Sequence, residues 1–489
     1  MTETVDTQPK RVSLRELNAP GARGATLPAL DVPPAPLPEE DLLRSELDIP
    51  EVGELDLVRY FTGLSKLNFG IDSGFYPLGS CTMKYNPKWH EEVARLPGFA
   101  QIHPLQPPES VQGALAVMHG LQELLAEITG ARAVSLAPLA GAHGEMAGLL
   151  MVRAYHESRG EGGSRKHVLI PDTAHGTNAA SAKMCGYDVV TAPSDAHGNL
   201  DVESLKGLAT SETAALMLTL PSTLGLFDPR ILDICNAIHD AGALVYGDGA
   251  NLNAILGRVR FGDLGFDVVH SNLHKTFSTP HGGGGPGAGP VCAADTLADF
   301  LPAPVVYKSP PGAPGPEYRL GRPSRSIGKI SAFHCNFGVV LRAYAYIRLL
   351  GAPGMREISE NAVLNANYLL TRLEEDYLLP HKRACMHEVV FSASKQKTLG
   401  VRALDISKRL MDYGFHPPTM YFPQVVPEAL MIEPTECESK RTLDSFVDAM
   451  KSIAREAETD PGLVTSAPHT TPLSRLDEAQ AARHPDLHW

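Results

Sequence analysis

Between about residues 110 and 335 the chain alternates short apolar runs with stretches of helical periodicity. Leu115, Met118, Leu121 and Leu125 recur at helical spacing and predict a helix over 111–128. Apolar runs predict strands at 133–136, 167–170, 214–220, 243–246 and 267–270. A helix opens at the small-residue turn Ala140-Gly141-Ala142, and Ile231, Ile234, Cys235 and Ile238 mark another. Short apolar strands alternating with helices imply an α/β fold, with a mainly parallel sheet covered on both faces.

Beyond about 335 the pattern changes. A long helical region runs through 339–350 and resumes after Pro353. Strands near 388–392, Met420 and 430–432 surround a helix at 406–411. A final amphipathic helix carries Leu443, Phe446, Val447, Met450 and Ile453. This reads as a smaller α+β domain. The expected division is an extended N-terminal arm (1–60), a large domain with a preceding loop segment (61–335) and a smaller C-terminal domain (336–489). Pro20, Pro33, Pro34, Pro36 and Pro38 rule out long helices in the arm, which is either laid on another surface or a disordered tail.

Composition narrows the function classes. With 489 residues, 43% hydrophobic and 20% charged, the chain reads as a globular enzyme. The net charge of −13 argues against a nucleic-acid footprint or an anionic membrane surface. The cysteine count of 7 is odd, and the scattered spacing without CxxC fits reduced thiols in a cytoplasmic protein, with no zinc site. No apolar run approaches membrane-spanning length, and the acidic start is not a secretory signal.

One segment carries chemistry that packing does not explain. The run Asp267-Val268-Val269 leads into Ser271-Asn272-Leu273-His274-Lys275-Thr276, followed by Pro280-His281 and Gly282 to Gly285. A lysine leaving a buried strand for a polar, Gly-rich loop suits an amine that forms an imine with a carbonyl cofactor, for which pyridoxal 5'-phosphate (PLP) is the candidate. Such a site needs an acid for the pyridine nitrogen, a phosphate cradle and a face for the ring, all at strand carboxyl ends. Asp248, between Gly247 and Gly249 after the strand at 243–246, is the acid. Ala140, Gly141 and Ala142 form the cradle at a helix start. Ser271, Asn272 and His274 add donors. His175 is chosen to stack on the ring, with His143 as alternative, and Thr223 is placed to reach the ring oxygen. Arg322 and Arg325 are candidates for a substrate carboxylate or are surface arginines. Cys81 lies in the ordered-looking loop at 74–84.

Together these segments resemble the glycine decarboxylase P-protein family, and within it the second, lysine-bearing subunit of the two-chain form. The resemblance rests on Phe75 to Lys84, Ala140 to Glu145, Ala174 to Asn178, Thr223 to Phe227, the lysine loop, Leu430 to Glu436 and Ala467 to Pro472. Ala179 and Ser222 depart from the family pattern, which has Pro and Asn there. The resemblance implies PLP-dependent transferase fold type I, aspartate-aminotransferase-like. It implies glycine dehydrogenase (aminomethyl-transferring) activity in the glycine cleavage system: glycine is decarboxylated on the cofactor and its aminomethyl group passes to the lipoyl arm of H-protein. It implies a homologous first subunit as partner, two of each chain. The alternatives are another fold-type-I enzyme (aminotransferase, cysteine desulfurase or amino-acid decarboxylase) and a non-catalytic structural subunit.

Overall fold

The computed structural model describes residues 12–45, 47–280 and 287–485. The expected glycine run Gly282 to Gly285, with His281, lies outside them. The chain divides into two compact units, one ending at Ser73 and the other starting at Gly74. In the first, an α-helix at Glu54–Ser65 and a short 3-10 helix at Glu40–Leu42 bury no residue. Leu55, Val58, Phe61 and Leu64 stand exposed at three-residue spacing on the longer helix.

The second unit is built on a seven-stranded sheet. Its strands are β1 (Ala133–Ser135), β2 (His167–Pro171), β3 (Asp188–Ala192), β4 (Thr213–Thr219), β5 (Leu244–Gly249), β6 (Val268–Ser271) and β7 (Val291–Ala293). They lie in the order β1-β7-β6-β5-β4-β2-β3. Pairing is parallel from β3 through β6, and antiparallel where β7 meets β6 and β1. The sheet is therefore mainly parallel. All residues of β4 are buried, as a strand covered on both faces requires. The chain passes from β2 outward to β3 and then back to β4 on the other side of β2. Such a reversal opens a crevice at the strand carboxyl ends.

The helix at Gln112–Thr129 buries Leu115, Met118, Leu121 and Leu125, and ends at Gly130 with φ 72°. The long helix Phe337–Leu373 breaks at Gly351, where φ is 62°, and resumes around Pro353. A hairpin, β8 (Val305–Lys308) and β9 (Tyr318–Gly321), precedes it. A three-stranded antiparallel sheet follows: β10 (Val389–Ser392), β11 (Thr419–Met420) and β12 (Ala429–Ile432). Against it the helix Lys440–Thr459 buries the expected Leu443, Phe446, Val447, Met450 and Ile453. Among the described residues, no helix is long and apolar enough to cross a membrane.

The segment 75–84 threads between these layers. Phe75 joins the core of the small sheet, and Leu78 bridges Ile432. Lys84 is buried and its Nζ donates to Glu436 at 2.7 Å and Asn253 at 2.9 Å. The Glu436 carboxylate holds the Lys84 ammonium well above the ordinary lysine range, outweighing burial. Removing one partner strands a buried charge, so Lys84→Met is expected to cost about 3–5 kcal/mol of unfolding free energy. Chemical denaturation measures this; a loss below about 1 kcal/mol would place the pair among weak surface contacts.

Candidate active site

Five strands deliver side chains to one crevice. Thr219 ends β4, Asp248 lies near the end of β5, and His270 and Ser271 close β6. Beyond β2 comes His175, and beyond β1 comes the helix Gly141–Ser158. The crevice holds a cavity of about 190 Å³ lined by Gly141, Ala142, His175, Thr223, Asp248, Asn272, His274 and Lys275, among others.

Asp248 is 3% exposed. Its Oδ1 accepts from the Ala250 amide at 2.9 Å and faces His270 Nε2 at 3.4 Å, while Oδ2 accepts from Thr219 Oγ1 at 3.4 Å. The Tyr246 hydroxyl lies 2.6 Å from His270 Nδ1 and continues this buried chain. Burial holds the His270 pKa below its ordinary value. With its amide turned to donate, Asn178 reaches Asp248 Oδ2 at 3.2 Å and Glu145 Oε2 at 3.1 Å.

Glu145 also accepts from Thr177 Oγ1 and Ser181 Oγ. Burial, then the nearby Asp248, pushes its pKa up to about 7. The folded value lies above the ordinary value of 4.5. The stabilising contribution is therefore complete below about 4.5 and lost as pH rises through about 7. Glu145→Gln is expected to flatten the decline in unfolding free energy between about pH 5 and about pH 8 relative to the parent chain. Parallel pH curves for the two proteins would refute this assignment.

Lys275 sits in a single helical turn, Leu273–Thr276, directly after β6. Its Nζ donates to the Ser80 carbonyl at 2.7 Å. Ser80 is one of two residues in its loop with unusual backbone, Ser80 at φ 61° and Thr82 at φ 46°. Beside them Gly79 leaves no room for a side chain: a Cβ would lie 2.2 Å from Met431 Cγ.

The other expected residues divide. Gly141 and Ala142 line the cavity at the start of an 18-residue helix that has no side-chain cap. Their unspent N–H groups therefore face the crevice. Gly141 is needed there, because a Cβ would meet Asn272 Oδ1 at 2.7 Å. Ala140 is the N-cap and does not line the cavity. Ser271 is fully buried, its hydroxyl without a hydrogen-bond partner, and it does not line the cavity. His274 lines the cavity, with Nδ1 accepting from the Ala288 amide at 3.3 Å. The Thr223 hydroxyl donates to the Thr173 carbonyl, and the residue lines the cavity. His175 caps the helix Gly176–Met184, taking the Thr177 amide on Nδ1, and meets the Phe422 ring edge-on. His143 accepts from the Leu139 amide and is not a lining residue. Arg322 donates to the Ser326 carbonyl and Arg325 packs over Phe300; neither lines the cavity.

Sequence reasoning gave no role to Glu145, His270, Ser80, Glu388 or Glu433. Glu145 and His270 lie inside segments already singled out, and polar residues at strand ends and helix starts were the available signal. Glu388 and Glu433 meet the Ser80–Thr82 loop only through tertiary packing.

A lysine amine, a buried carboxylate and an open helix N-terminus converge at the carboxyl ends of a mainly parallel sheet. The fold is that of the PLP-dependent transferases of fold type I. Residues 148–285 match the class-V aminotransferase family, and residues 358–468 match the glycine dehydrogenase C-terminal domain. The inhibitor-bound glycine decarboxylase (P-protein) of the glycine cleavage system superposes with a TM-score of 0.72, at 20% identity over 85% of this chain and 93% of that one. A cysteine desulfurase from Thermococcus onnurineus superposes with a TM-score of 0.61, at 16% identity over 78% of this chain and 95% of that one. The probable glycine dehydrogenase (decarboxylating) subunit 2 of Bacillus cytotoxicus is 55% identical over 97% of this chain and 96% of its own length. The protein of the same description from Caldanaerobacter subterraneus is 54% identical over 97% of this chain and 98% of its own length. The chain belongs to the glycine dehydrogenase (decarboxylating) subunit 2 family.

Proposed function

We propose that the chain is the lysine-bearing subunit of a two-chain glycine dehydrogenase, decarboxylating glycine on PLP and passing the aminomethyl group to the lipoyl disulfide of H-protein. The observation that carries this reading is the convergence of Lys275, Asp248 and the Gly141–Ala142 helix start on one cavity. These groups fit PLP by donor chemistry: an amine for its aldehyde, a carboxylate for its ring nitrogen and N–H groups for its phosphate.

When bound, the cofactor supplies an aldehyde for the lysine and a ring that accepts the electron pair left by departing carbon dioxide. Asp248 is the carboxylate that keeps the ring nitrogen protonated, held in place by the Ala250 amide and His270. Gly141 and Ala142, with Asn272, hold the phosphate. His175 would pack against the ring and Thr223 would reach the ring oxygen, both lining the cavity. Lys275 supplies the attaching amine, and Ser80 holds that amine by its carbonyl. Ala140 begins the cradle helix as its N-cap, and His274 accepts from the Ala288 amide at the cavity wall. The loop at 74–86 forms part of the entry for the lipoyl arm.

The functional division follows the two larger sheets, with 61–335 holding the cofactor and 336–489 closing the site. The arm (1–60) serves the partner chain, and the exposed Leu55, Val58 and Phe61 just before and after its end suit such a contact. The complex is two of each chain, in the cytoplasm, consistent with free cysteines throughout.

The test is exchange of labelled bicarbonate into glycine, with this chain, a homologous first subunit and lipoylated H-protein. Exchange that requires all three is expected. No exchange, together with transamination of another amino acid, would overturn the reading.

A further inference from the structure

We propose that Glu388 and Glu433 are positioning residues for Lys275, acting through the loop Ser80–Thr82. This deepens the reading of Lys275 as the cofactor lysine and rests on it.

The two residues are fully buried, at 0% exposure each. Glu388 Oε2 accepts from the Ser80 amide at 2.8 Å. Glu433 Oε2 accepts from the Thr82 amide at 2.9 Å, and Oε1 accepts from the Thr82 hydroxyl at 2.6 Å. These are the two amides whose residues hold the left-handed backbone, Ser80 at φ 61° and Thr82 at φ 46°. L residues seldom adopt that region, and a β-branched threonine does so least readily. Something must hold the loop there, and the two carboxyls grip it at both strained residues. The result is that the Ser80 carbonyl points at Lys275 Nζ, 2.7 Å away.

The contacts join segments far apart in the chain. Around the loop, the Glu433 amide donates to the Pro77 carbonyl and Thr419 Oγ1 donates to the Gly79 carbonyl. Residues 75–84 and 430–436 are thus one interlocked unit. That unit aims a carbonyl at the lysine that the large sheet presents.

His387 completes the cluster, its Nε2 lying 3.9 Å from both Glu388 and Glu433. Burial, with Lys275 nearby, holds its pKa down to about 3, so it brings no charge. Burial raises the Glu388 pKa and moves that of Glu433 up to about 7. Three buried groups within 4.8 Å of one another also have metal-ligand character. Glu388 Oε2 and both Glu433 oxygens are committed to the loop, while Glu388 Oε1 and the His387 ring nitrogens have no hydrogen-bond partner, and the Lys275 cation lies within electrostatic reach of all three residues.

The experiment uses the full-length chain freed of cofactor and mixed with pyridoxal phosphate. The rate and position of the visible band are followed. Glu433→Ala removes both grips on Thr82 and is expected to slow band formation about tenfold or more and to move the band. Glu433→Gln and Glu388→Gln keep an acceptor for the loop and are expected to stay within about threefold of the parent. A purely structural role would lower the melting temperature without moving the band. Thr82→Val, which deletes one hydrogen bond, guards against misfolding of Glu433→Ala and is expected to slow capture several-fold.

Folded Glu433→Ala or Thr82→Val capturing cofactor at the parent rate, with an unmoved band, would overturn the proposal. So would a stoichiometric metal recovered with the purified parent chain. If the parent itself forms no band, the reading of Lys275 fails instead, and the two failures are distinguished.

Discussion

Replacing Lys275 by alanine is expected to give a folded chain that forms no visible cofactor band and turns over glycine at least about 10³-fold more slowly. The expectation of folding rests on the side chain's surroundings. Lys275 is partly exposed, and the hydrogen bond it donates goes to a loop carbonyl rather than into a core. The neighbouring Leu273 and Phe277, both fully buried, anchor the turn without it. The expectation of lost chemistry rests on the cavity, where Lys275 alone among the lining residues carries an amine. Removing its cation also removes an influence that lowers the Glu145, Glu388 and Glu433 pKa values. The variant should therefore hold these carboxyls protonated to higher pH. Absorbance after mixing with pyridoxal phosphate, a thermal melt and the exchange assay separate the effects. A persisting band would move the attaching amine to another residue.

Lys275 and Asp248 were legible because each is a polar residue set at the end of a short apolar strand. That is a local pattern, and the sheet's strand order turns it into proximity. The core strands β4, β5 and β6 were readable for the same reason, being continuous apolar runs. Strand β3 was not, because an edge strand reading Asp-Val-Val-Thr-Ala exposes part of its length and lacks a clear period. Strand β7 is three residues long and antiparallel, too short for any pattern to register. Ser271 shows the limit of a local reading: its position beside the lysine suggested a donor, yet it is fully buried and does not line the cavity. Glu388 and Glu433 lie 308 and 351 residues from the loop atoms they hold. No periodicity or spacing in one sequence reports such a contact. Only the packing of the small sheet against the segment 75–84 creates it.

Asp248→Asn should fold and bind cofactor but turn over glycine about 10²–10³-fold more slowly, the scale of losing one preorganised electrostatic group. Asparagine keeps the shape and accepts through one oxygen from the Ala250 amide, so the strand end survives. What it loses is the charge that opposes a protonated ring nitrogen. His270 does not replace it, since an imidazole supplies no negative charge, and burial leaves this one disfavoured even as a cation. Glu145 is the group that responds. Asp248 is one of the causes raising its pKa, so without that charge Glu145 ionises at lower pH. Asn178, able to donate to both carboxyls, links the two positions. Part of the loss in Asp248→Asn is therefore offset at neutral pH, and the double variant Asp248→Asn/Glu145→Gln should fall further than the two single losses added together. Steady-state exchange on the four proteins of this cycle gives the coupling directly. Strict additivity would confine Glu145 to holding Thr177 and Ser181. Turnover of Asp248→Asn within tenfold of the parent, with an unchanged band, would remove Asp248 from the ring nitrogen altogether.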